Sequence, residues 1–203
     1  MKRSFFIALC AAICTVTAVS VQMTTAYMTD EPSHIQNMIT MGTVDIELKE
    51  EHWKEPEASA IHPLQTVPKD PVVFNKGSHP AYVFLEVTVP VKTIRTIDQN
   101  GRKTEAAPHE LFSFVYDSTH WTLIRTENQS DGKRYVYGYQ NVLHPNEQTE
   151  PLFHSVTSVN YLEGELNPKD TYVIDVQPRA IQSQLDTQHL SPEQIYKLLL
   201  EEM

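Results

Sequence analysis

Cysteine is nearly absent from the 203-residue chain: Cys10 and Cys14 are the only two, and both lie in the first apolar stretch. Beyond that stretch the chain can form neither a disulfide nor a thiolate metal site, and its fold must rest on apolar burial. Glycine is scarce, at six residues, which leaves no phosphate-cradling glycine loop. A Gly-x-Ser-x-Gly elbow and an Asp-x-Asp-x-Asp-Gly calcium loop are both missing. Basic residues number 16 against 26 acidic ones. Such a balance argues against nucleic acid or an anionic membrane as a partner. After the N-terminal run, no second apolar stretch is long enough to span a bilayer.

That N-terminal run has the grammar of a secretory signal. Lys2 and Arg3 form a short positive region, Ser4 to Val21 is uncharged and mostly apolar, and "TTA" ends at Ala26. Residues 1–26 read as a signal peptide cut by a signal peptidase between Ala26 and Tyr27. The rival reading is an uncleaved anchor, because the run is long for a signal core. A lipoprotein fits less well, since Leu9 and Ile13, which precede the two cysteines, are large. Cleavage removes two basic residues and leaves 14 against 26 acidic ones, a net charge of −12. The expected product is secreted, with no membrane association after cleavage, and resides in the extracellular matrix or at the cell surface.

Period-two alternation dominates the remainder. Val44, Ile46 and Leu48 alternate with acidic or polar residues, as in a half-buried strand. In "PAYVFLEVTVPVK", Ala81, Val83, Leu85, Val87 and Val89 share one face, and Tyr82, Phe84, Glu86 and Thr88 share the other. Pro90 predicts that this strand ends, bulges or lies at an edge there. Asp131-Gly132 reads as the turn of a hairpin with a longish loop, between Trp121–Thr126 and Tyr135–Gln140. Further strands are expected over 71–75, 111–116, 152–159 and 171–177. The proline-rich stretch "EPEASAIHPLQTVPKDP" reads as a long surface crossing. Together these features predict an all-β fold, a jelly-roll-like antiparallel β-sandwich over 42–182, with 183–203 as a linker and one short C-terminal helix.

The helix carries its own start signal. Ser191 is the N-cap, Pro192 fits the first helical position, and Gln194 completes a capping box. Ile195, Leu198 and Leu199 make an apolar stripe expected to plug one end of the sandwich, with contact with a partner as the alternative.

Candidate chemistry is thin. Of nine histidines, the nearest approach to a zinc-protease helix is "HELFS" from His109, but Ser113 stands where a second histidine is required. His52 sits among carboxylates without a second ligand at a defined offset. No catalytic residue, metal ligand or cofactor site is assigned. Tyr135, Tyr137 and Tyr139 recur at every second residue and form a candidate ligand face for glycan, with cross-strand packing as the commoner role.

The stretch "AYMTDEPSHIQNMITMGTVDIEL", from Ala26 to Leu48, is similar to the start of secreted proteins of the TasA/camelysin family of Gram-positive bacteria, which carry the SipW-dependent type of signal peptide. Matching positions are Ala26, Tyr27, Asp30, Asn37, Gly42, Val44, Asp45 and Ile46. "VPKDPVVFNKGSHPAYVFLEVTVP" and the segment from Trp121 to Leu162, followed by "AIQ", resemble other family segments in the same order. The resemblance implies a jelly-roll sandwich, export through a dedicated signal peptidase, and fibre subunits in a biofilm matrix. It further implies β-strand addition between subunits, in which an N-terminal segment of one copy completes the sheet of another copy or of a related subunit. Residues 27–41 are the candidate assembly segment, with Tyr27, Met28, Ile35, Met38, Ile39 and Met41 as its apolar side chains. The family's metallo-endopeptidase label is an alternative for which no zinc-binding pattern stands in this chain. A monomeric binding module for cell-wall glycan or a host ligand is the other alternative.

Overall fold

The computed structural model describes residues 43–52, 62–167, 169–183 and 190–201, all within one compact unit, Gly42–Met203. The strands in chain order are β1 (Ile46–Glu50), β2 (Thr66–Pro68), β3 (Pro71–Asn75), β4 (Ala81–Ile94), β5 (Ala107–Glu110) and β6 (Phe112–Ser113). β7 (Trp121–Asn128), β8 (Gly132–Tyr139), β9 (Ser155–Ser158) and β10 (Asp175–Gln182) follow, and helix α1 (Pro192–Glu201) comes last. All ladders are antiparallel. A five-stranded sheet runs β10-β4-β8-β7, with β5 also on β4; the others are β1-β3 and β2-β9-β6. The result is the expected all-β, sandwich-like fold with a short C-terminal helix.

β4 organises the core. Its odd-numbered residues Val83, Leu85, Val87 and Val89 are fully buried in one cluster with Val73, Trp121, Tyr137, Leu152 and Phe153. Each such side chain contributes roughly 1.5–3 kcal/mol on leaving water. Its even-numbered face is also covered, with Phe84 and Glu86 buried, so the alternation has two covered faces rather than one.

Pro90 does not end this strand, which continues to Ile94. Val91 donates its N–H to Asp131 on the β8 side, so the amide position of Pro90 faces the opposite side. There β10 stops pairing at Thr88 and β5 begins at Val91. Pro90 lies opposite Leu111, whose N–H its carbonyl accepts, and the donor it lacks is not missed because the Leu111 carbonyl accepts from Val159 instead.

The hairpin of β7 and β8 forms as expected, but its loop is short, spanning 129–131. Gly132 is not the left-handed turn residue. A Cβ there would lie 3.0 Å from the Val89 carbonyl oxygen, so the close approach of β8 to β4 favours glycine.

Of the expected strand over 111–116 only Phe112–Ser113 forms, as β6, with β5 ahead of it. Leu111 donates its N–H to Pro90 in the five-stranded sheet, and its carbonyl accepts from Val159 beside β9, so the chain changes sheets at this residue. The proline-rich crossing contains β2, too short to show a period, which pairs with β9. β9 occupies only the later half of the expected 152–159, because Leu152 and Phe153 enter the core ahead of the ladder. The last strand starts at Asp175 rather than at 171, after Ile174 has turned into the core.

The capping box is present: Gln194 N–H donates to Ser191 Oγ at 3.3 Å, and Ser191 N–H donates to Gln194 Oε1 at 2.8 Å. The helix, however, does not plug an end. Ile195, Tyr196 and Leu199 pack on the outer face of the five-stranded sheet, with Phe84, Val136 and Ile181. There it covers the second apolar row of β4.

Candidate functional site

The proposed cleavage pair, Ala26 and Tyr27, and the assembly-segment residues Tyr27, Met28, Ile35, Met38, Ile39 and Met41 all lie outside the described residues.

The tyrosine ladder is described, and it faces inward. The register Leu85↔Tyr137 places Tyr137 on the core face of β4's partner strand, where it is 3% exposed. Ring centroids lie 4.9 Å apart for Tyr116 and Tyr137, 6.1 Å for Phe114 and Tyr135, and 5.1 Å for Trp121 and Tyr139. Tyr135 donates its hydroxyl to Glu110 at 2.7 Å, and Tyr139 donates to Glu150. Burial, then the Glu150 carboxylate, pushes the Tyr139 hydroxyl up to about 12. The ladder expected as a candidate ligand face is therefore an aromatic wall of the core, because its side chains share the parity of the apolar β4 residues opposite them.

Three sheet edges differ in how they are closed to another strand. β7 has a register break between Leu123 and Arg125, which interrupts edge pairing. In β10, Ser183 bonds Pro80 on the β4 side, so the even-numbered backbone groups, including the ring nitrogen of Pro178, face outward. Pro178 thus blocks the middle of that edge. β1 has neither a register break nor a proline. Asp45 accepts from Lys76 and Gly77 on the β3 side, so Ile46, Leu48 and Glu50 direct their backbone groups to the other side. β10 runs near β1, and among the described residues no ladder joins the two.

Sequence patterning does not disclose the charged network under α1. Glu86 is 4% exposed and accepts from Tyr196 Oη at 2.8 Å, Arg179 Nε at 3.1 Å and Arg134 Nη1 at 3.3 Å. Arg134 also donates through Nε to Glu127 at 3.0 Å. Arg125 lies 2.7 Å from Glu127, without hydrogen-bond alignment, and its guanidinium stands over the Tyr196 ring at 5.3 Å. Burial, then the bond to Glu86, pushes the Tyr196 hydroxyl up to about 12. The one signal along the chain is a carboxylate interrupting an otherwise apolar strand.

Two histidines are held by carboxylates. His52 Nδ1 lies 2.6 Å from Asp70 Oδ2, and His120 Nδ1 lies 2.6 Å from Asp117 Oδ2. His109 lies on β5, not on a helix. Among the described residues, no three histidine, cysteine or acidic side chains group in a way that could hold a metal ion. No helix among them is long and apolar enough to cross a membrane. No protein-family model matches the chain, and no curated protein or solved structure matches it either.

Proposed function

We propose that the chain is an exported, non-catalytic β-sandwich that serves as a structural component of the extracellular matrix or cell surface, assembling by β-strand addition. The supporting observation is the contrast among edges: β7 is interrupted by a register break, β10 by a proline, and β1 by neither. Residues 27–41 precede β1 in sequence and hold the apolar side chains that a donor strand needs. The resemblance of this stretch to the TasA/camelysin family points the same way. Methionines at 28, 38 and 41 suit an irregular groove.

Negative-stain electron microscopy of residues 27–203, across a concentration series and beside residues 42–203, tests the proposal. Filaments from the longer chain alone are expected. Globular particles from both would remove strand addition. Stoichiometric zinc, with casein cleavage lost on chelation, would replace the structural reading with a metallopeptidase.

A further inference from the structure

On the sheet face beneath α1, Glu86 keeps most of its hydrogen bonds without the helix. Glu86 draws two of its three partners, Arg134 and Arg179, from neighbouring strands, and only the Tyr196 hydroxyl comes from α1. The apolar cluster joining Phe84, Val136 and Ile181 to Ile195, Tyr196 and Leu199 is separate from the main core. A cleft of about 180 Å³, bordered by Tyr82, Phe84, Gly138, Leu190, Pro192 and Ile195, lies under the start of the helix. With ten residues, α1 is too short to hold its form alone in water.

We infer that α1 is a releasable strap over a groove on the outer face of the five-stranded sheet. Its departure removes one small cluster, one hydroxyl and the ring beneath Arg125, and leaves the main core and the Glu86–arginine pairs in place. Local opening of this kind follows where few buried contacts hold an element. The groove's occupant is the chain's own α1: its apolar stripe fills the Phe84–Val136–Ile181 row, Tyr196 reaches Glu86, and the same ring lies under Arg125. The inference is independent of strand addition at β1.

Hydrogen exchange of residues 27–203 at neutral pH tests it. Amides of α1 are expected to exchange on the order of 100-fold faster than those of β4 and β8. Tyr196→Phe, which keeps the ring, should speed exchange in α1 about tenfold and leave β4 unchanged. A full-length variant carrying Ile195→Asp and Leu199→Asp, which strips the apolar stripe from the strap, should still unfold cooperatively. It should also bind a labelled synthetic peptide of residues 190–203 saturably, as read by fluorescence anisotropy. Exchange of α1 in step with β4, an unfolded double variant, or no peptide binding would each overturn the strap.

Discussion

Gly77 shows how one residue holds a strand in place. A Cβ there would lie 2.5 Å from the Thr43 carbonyl oxygen and 2.7 Å from the Asp45 amide nitrogen, both backbone atoms. Gly77→Ala is expected to push β1 from β3 and cost about 1–3 kcal/mol, read as a lower urea midpoint. Tyr137→Ala should cost more, about 3–5 kcal/mol, because it empties the middle of the aromatic wall. At His120 the expected effect depends on pH. The hydrogen bond to Asp117 raises the imidazole above its ordinary 6.5, and the bond from His120 lowers Asp117 below its ordinary 3.8. The pair's stabilisation is therefore fully present below the unfolded histidine value and fades as pH rises through the raised one. It fades again as pH falls through the lowered Asp117 value. His120→Gln should flatten the fall in melting temperature between weakly acidic and mildly alkaline buffer.

Strand β10 carries a different kind of information, since Pro178 acts on what stays outside. Its ring nitrogen faces the open edge, so Pro178→Val removes no internal hydrogen bond and adds an outward donor. The variant is expected to fold with stability within about 1 kcal/mol of the parent. Its association, followed by light scattering, should be several-fold faster. The strands with clean alternation and the capped helix are legible in the sequence because short-range patterning determines them. Partners are less legible. The parity of Tyr137 with Leu85 follows from a register that only the assembled ladder supplies. The seat of α1 depends on Phe84, Val136 and Ile181, which come from three strands distant in sequence.

The whole molecule is acidic, with 26 acidic residues against 16 basic ones, so copies repel one another. Assembly of residues 27–203 is expected to accelerate when salt shortens the screening length to about 8 Å or less, a trend that static light scattering can follow. The candidate site is legible only as far as composition and the edge-blocking proline allow; the Glu86 network joins four elements and leaves little trace along the chain. Leu111 has a further consequence at this scale. Its amide belongs to one sheet and its carbonyl to the other, so the tie between the layers is made by the main chain. Most side-chain replacements there would change packing and leave that seam sewn. Proline alone removes the amide half of the stitch, so a substitution scan would read the joint as tolerant everywhere except at its one revealing change.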